Sequence, residues 1–464
     1  MRFSREIITI LFFFVGLVAF GQATDINFTA KGLAASEAYL GYHLAEQKYV
    51  QDTLEVGEGG LMKIYDEAGL HPGLYFIYVP GDIYVEFIIN EPSFSIVTEG
   101  AGYDNFEVEG SPENDVFKEF QMNLGALQVK RTALSDSLQG LSGGDSLAVQ
   151  QQLVELSGEA NTIRDNLIEQ YPDLMITKML SLMQPVSLQS FPDIQDEEEN
   201  KRQVYFAYRN SMRQRLDFTE RGLLRTPVFK DQVMRYMNEV VPQVPDSLIV
   251  ELDKILTTVQ DDEVAFRFWL VTFTNEYQTP KLMGQDAVLV HLLEQYYLTS
   301  KADWVSEEQL ETMKEEVGFL KPNLIGQPAP MLSLLDTAEA PSNPIALADE
   351  YIILFFYDPD CGHCRKKTPI LRDAYADLKG LGAEVVAVCT ISDQDKWRNY
   401  IKENELNWVN LADPYFKSNF RAEYNVRTTP QLYVLDRDRK IVAKKLDVDQ
   451  LVDFISNHKD VVNP

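Results

Sequence analysis

Cysteine is scarce in this chain, with three in 464 residues. Three cysteines cannot staple a disulfide scaffold, so the fold must rest on buried hydrophobic cores. Positive charge is short too: 42 Lys and Arg stand against 71 Asp and Glu, a formal net charge of −29. So acidic a chain repels phosphate backbones and anionic lipid, which excludes nucleic acid as a partner and disfavours docking on a membrane surface. There is no Gly-rich phosphate loop and no metal-ligand spacing, so neither metal nor cofactor is expected. Beyond the first twenty residues, no apolar run is long enough to cross a bilayer. What is present is globular: hydrophobic residues are 45% and charged residues 24%. The length suggests roughly three domains.

Arg2 and Arg5 precede an apolar run from Ile7 to Phe20. At about 14 residues the run matches a signal-peptide core and falls short of the ~20 that span a bilayer. Ala19 and Gly21 suit cleavage before Gln22. Residues 1–21 are therefore expected to be a secretory signal, and the mature protein a soluble one in an oxidising, extracytoplasmic compartment. An uncleaved anchor helix is the alternative.

Three textures follow. Over residues 22–110, short β-rich bursts at Tyr39–Leu44, Leu74–Val79, Ile83–Ile89 and Phe94–Val97 alternate with Gly, Pro and Asn punctuation. They predict a small antiparallel sandwich or barrel. His43 and His71 read there as surface or turn residues. At Ser111-Pro112 a helix cap appears, and Val116, Phe120, Leu124 and Leu127 recur at helical spacing. A break at Gly140–Asp145 separates this helix from a second, Ser146 to Gln170, and the acidic run Asp196–Glu199 reads as a solvated loop. Helical patterns continue to Val317, so residues 111–320 are expected to form an all-α domain. From residue 321 to 464 strands and helices alternate: strands at Tyr351–Tyr357, Glu384–Val388, Leu432–Leu435 and Ile441–Lys445. Helices are expected from Cys361, over Asp395–Glu403 and Phe416–Tyr424, and near the end. That order makes a mixed sheet covered on both faces, an α/β domain.

The chemistry lies at Tyr357-Asp358-Pro359-Asp360-Cys361-Gly362-His363-Cys364. A Cys-x-x-Cys where a strand passes into a helix sets the first sulfur at the helix N-terminus, where free N–H groups favour a thiolate. Cys361 is the expected nucleophile towards a disulfide, and Cys364, one turn on, the resolving thiol. Gly362 and His363 tune the pair; His363 is expected to lower the Cys361 pKa and make the disulfide more oxidising. Zinc would need four ligands, and Cys389, in an apolar strand, reads as a buried inert thiol.

These residues resemble the thioredoxin superfamily, and in particular its TlpA/ResA-like extracytoplasmic branch. Gly326-Gln327-Pro328-Ala329-Pro330 is similar to that branch's approach to its first strand, and Pro369 falls where its active-site helix kinks. The resemblance implies a cis peptide at Thr429-Pro430, with Pro430 beside the disulfide and Thr429 offering backbone bonds to a substrate strand. The β-rich region resembles a small uncharacterised domain that precedes such modules in Gram-negative secreted proteins, which implies the periplasm. Asp217-Phe218, the stretch Leu224–Val228 and the run Lys321–Gly326 resemble a helical linker domain found in the same company. Three positions depart from the pattern: Lys367 stands where the reductive branch has Glu, Asp360 where Trp usually precedes the first cysteine, and Phe355 where cytoplasmic thioredoxins have a buried acid.

The resemblance implies a secreted thiol–disulfide oxidoreductase acting on disulfide-containing client proteins, foremost as a reductase recharged by a membrane electron donor. Disulfide isomerase or oxidase is the alternative, favoured by Gly362-His363. A third reading is a client-binding or homodimerising scaffold carrying a redox domain. A peroxidase would place Thr ahead of the attacking Cys in Pro-x-x-x-Thr-x-x-Cys, and Asp358-Pro359-Asp360 supplies none.

Overall fold

The computed structural model describes residues 22–100, 103, 105–138 and 144–462. The expected signal segment and most of the Gly140–Asp145 break lie outside the described residues. The chain divides into two compact units, with the division between Val240 and Val241. Secondary structure thus changes near residues 111 and 321, whereas packing divides inside the helical stretch.

The first unit begins with eight strands: β1 (Thr24–Lys31), β2 (Glu37–Leu44), β3 (Gln47–Glu55), β4 (Leu61–Asp66), β5 (Gly73–Val79), β6 (Ile83–Ile89), β7 (Ser93–Glu99) and β8 (Glu107–Glu109). They form two sheets, ordered β4-β1-β7-β8 and β3-β2-β5-β6. In β1, β4 and β7 one buried face gives the alternation, as in Ile26, Phe28 and Ala30 of β1. Phe87 of one sheet meets Phe28 and Phe94 of the other at 5.5 and 6.4 Å between ring centroids, joining the two sheets through a shared core. One pairing departs from the antiparallel expectation: β1 and β7 run parallel. His43 is also not a surface residue. It is 3% exposed, with Nε2 3.0 Å from Glu86 Oε1.

Six helices follow: α1 (Pro112–Ser137), α2 (Gly144–Gln170), α3 (Met175–Leu182), α4 (Glu197–Arg215), α5 (Arg221–Leu224) and α6 (Phe229–Arg235). Ser111 caps α1 by accepting from the Asn114 N–H, as its sequence signature predicts. Asn114 bonds both the N–H and the C=O of Ile88, and the buried Glu113 carboxylate accepts from the N–H groups of Met175 and Ile176. One polar turn thereby ties β6, α1 and α3 together. The acidic run is not a loop: Asp196 caps α4, and Glu197, Glu198 and Glu199 are its first turn, where the helix dipole favours negative charge.

The second unit opens with α7 (Pro245–Val259), α8 (Glu263–Gln278), α9 (Asp286–Leu292) and α10 (Glu307–Leu320). Then come β9 (Leu334–Leu335), β10 (Pro341–Ser342), β11 (Tyr351–Tyr357), α11 (Gly362–Gly380), β12 (Ala383–Cys389), α12 (Gln394–Glu403), β13 (Val409–Ala412), α13 (Phe420–Glu423), β14 (Gln431–Leu435), β15 (Ile441–Lys444) and α14 (Leu451–Val462). The strands make one seven-stranded mixed sheet, β10-β9-β13-β12-β11-β14-β15. β11 and β12 are buried on both faces, which explains their unbroken apolar runs. One core packs Leu371, Leu378, Trp397 and Ile455 against one face; Phe420, Tyr424 and Leu332 pack against the other. The helix expected over Phe416–Tyr424 shrinks to α13, because Phe416 takes a positive φ of 51° that ends helical continuity.

A buried ion pair joins the unit's helical part to its sheet. The Lys444 ammonium, on β15, bonds Asp286 Oδ2 at the start of α9 and the Asn323 carbonyl oxygen (2.7 Å). All three residues are nearly inaccessible, and Asp286 Oδ1 is buried with no hydrogen-bond partner.

Candidate active site

The site forms at the carboxyl end of β11, an interior strand between β12 and β14, where open α/β sheets present their functional groups. Cys361 is the N-cap of α11, in extended conformation, and its side chain makes no capping bond of its own. It is half-buried, Gly362 and His363 are exposed, and Cys364 is 0% exposed inside the core. Both cysteines are free thiols. The Cys361 thiol donates to the Thr429 carbonyl oxygen at 3.1 Å, and the Thr429-Pro430 peptide is cis. The structure therefore brings together all six residues singled out from the sequence.

Electrostatics set the two sulfurs apart. Burial works against a Cys361 thiolate, but hydrogen bonds from the Cys364 N–H and thiol, from Thr429 and from the His363 N–H outweigh it. The Cys361 thiol is held below its ordinary value. Burial pushes the Cys364 thiol up to about 11, against a weak bond from the Asp358 N–H at 3.5 Å and one from the Thr429 side chain. Only the thiolate reacts with an alkylating agent, so each rate rises as pH climbs through that thiol's pKa. Iodoacetamide labelling of the reduced protein should inflect below the ordinary thiol range at Cys361 and near 11 at Cys364. Indistinguishable profiles at the two cysteines would contradict this asymmetry.

Other expected residues take quieter places. Cys389 lies opposite Tyr357 on β12, is 1% exposed, and burial pushes its thiol up to about 12, as suits an inert thiol. Phe355 is buried and stacked on Tyr357 at 5.8 Å, so hydrocarbon fills the position of the thioredoxin acid. The Lys367 ammonium pairs with Asp447 and with Asp449 (3.3 Å). His458 pairs with the Tyr351 hydroxyl at 3.0 Å. Among the described residues no group of three or more His, Cys, Asp or Glu could hold a metal ion.

Two nearby residues escaped the sequence reading. Lys396, at the start of α12, pairs with Asp360, immediately before the nucleophile, at 2.5 Å. Arg427, two residues before Thr429, reaches Glu316 on α10. Their partners are 36 and 111 residues away, so no local pattern reveals them.

The segment that carries the site is similar to known proteins. Residues 325–444 match the AhpC/TSA family. A curated relative, "Thiol-disulfide oxidoreductase ResA" of Bacillus cereus, is 25% identical over 120 residues, 26% of this chain and 68% of the relative. A domain of a possible thiol-disulfide isomerase from Cytophaga hutchinsonii is 31% identical, covering 30% of this chain and 96% of that one, with a TM-score of 0.29. A thioredoxin-like protein from Bacteroides caccae is 18% identical and covers 59% of this chain and 99% of that one, with a TM-score of 0.46. The C-terminal segment is a thioredoxin-like domain of the AhpC/TSA family. The chain that carries it is a thiol–disulfide oxidoreductase.

Proposed function

We propose that Cys361 and Cys364 are the exchanging pair and that the protein works as a reductase of disulfides in extracytoplasmic client proteins. The observation that carries the reading is the asymmetry of the two sulfurs. A half-exposed thiol held low is suited to attack, and a buried thiol held high is suited to resolve. The Cys361 thiolate attacks a client S–S bond, giving a mixed disulfide and one client thiolate that takes up a proton. Cys364 loses its proton and attacks Cys361, which forms the Cys361–Cys364 disulfide and frees the second client thiol. Two electrons have then passed to the client, so each cycle needs a donor; a membrane-borne dithiol is the class that fits.

Thr429 and Pro430 are the proposed client-contact residues, and Gly362 and His363 the residues that tune the pair. The compartment rests on the Arg2/Arg5 and Ile7–Phe20 pattern and on the resemblance to the extracytoplasmic branch. Among the described residues no helix is long and apolar enough to cross a membrane. Isomerase is the second reading, supported by the stabilised Cys361 thiolate, because a stable thiolate makes the disulfide more oxidising. Turnover tests the proposal: with a dithiol supplying electrons, the purified protein should accelerate insulin reduction over the dithiol alone. Absence of any acceleration would count against it.

A further inference from the structure

The atom that touches the attacking sulfur belongs to a short tip of chain. Thr429 offers its carbonyl oxygen to Cys361 Sγ at 3.1 Å, so residues 427–430 lie beside the nucleophile, where a client strand carrying the disulfide would run. Val426, before the tip, is buried, and Gln431, after it, is paired with Phe356 on the sheet. Between these two fixed points, Arg427 reaches out to another element. Its guanidinium lies over the Phe319 ring at 4.6 Å, and Nη2 donates to Glu316 Oε2 at 2.6 Å. Glu316 and Phe319 are three residues apart on α10 and share one face of that helix. A second tie holds the approach to the tip, for Asn323 Nδ2 donates to the Glu423 carbonyl oxygen at 3.3 Å, at the end of α13. Helix α10 ends at Leu320, ahead of the segment shared with the family, which starts at residue 325.

We propose that Arg427 is a positioning residue for exchange with protein clients: it hangs the cis-proline tip on α10 and so makes the helical part of this unit a working part of the client site. The inference rests on the exchange reading above. A client strand that pairs with the backbone at Thr429 binds best to a tip already in place, because a loose tip must be ordered on binding. Glutathione disulfide carries only one residue on either side of each sulfur, too little chain to register along a strand. The clasp therefore matters for proteins and not for small disulfides.

The test compares insulin and oxidised glutathione as substrates for the full chain and for Arg427→Ala, Glu316→Gln and Arg427→Lys. KM for insulin should rise about five-fold in Arg427→Ala, the scale of a half-exposed ion pair together with a cation–π contact. It should rise less in Glu316→Gln. The kcat and the glutathione rate should stay unchanged. Arg427→Lys should recover part of the KM, since it keeps the charge towards Glu316 and loses the flat stacking on Phe319. An unchanged insulin KM would overturn the inference. Equal losses on both substrates would also overturn it, because Arg427 would then act on the dithiol or on folding. If the unmutated chain fails to exchange with glutathione, the exchange reading falls and takes this inference with it.

Discussion

Cys361→Ser should lower insulin reduction at least about a thousandfold, the scale on which removal of an attacking nucleophile registers. A serine hydroxyl at that N-cap cannot ionise near neutral pH, and the bonds that stabilise the Cys361 sulfur have no comparable anion to act on. Cys364→Ser should behave differently. Attack still occurs, but nothing resolves the product, so the variant should accumulate a mixed disulfide between Cys361 and its client. Gel analysis without reductant separates the two variants. An adduct that persists in Cys361→Ser, or one that maps to Cys389, would reassign the nucleophile. Cys389 is ill placed for that work, being 1% exposed with its thiol pushed up to about 12.

The second large effect is on stability. Lys444→Met should destabilise the second unit by about 3–5 kcal/mol, measured by urea unfolding, because it strands the Asp286 carboxylate in the interior. The pair is also imperfectly satisfied, with Asp286 Oδ1 lacking a partner. Removing both charges in Lys444→Met/Asp286→Leu should therefore recover most of the loss, since desolvation of two ions is lifted together. Additive destabilisation in the double variant would mean that the two charges are not coupled, and would contradict this account.

The sequence made parts of this molecule legible for identifiable reasons. Tyr351–Tyr357 stands out because a strand buried on both faces is apolar throughout, and its bounds match β11. Ser111-Pro112 marks the start of α1 because a cap and a preset φ act locally. The Cys361–Cys364 pair is readable because one helical turn fixes its geometry. By contrast, β13 spans four residues, too short to show a period, and went unread. The Asp196–Glu199 run looked like solvent-loving loop, whereas its charges complement the start of a helix. Cross-chain partnerships were least visible. Lys396 with Asp360, Arg427 with Glu316 and Lys444 with Asp286 depend on tertiary placement alone. These are the contacts that frame the site and join it to its helices.

The reduction potential of the Cys361–Cys364 pair, measured by equilibration with glutathione, tests the central claim most directly. A reductase should equilibrate reversibly as one two-electron couple, with a potential below about −230 mV. A value above about −180 mV would contradict that direction and place the protein with isomerases and oxidases. A pair that does not exchange with glutathione at all would contradict the proposed chemistry itself.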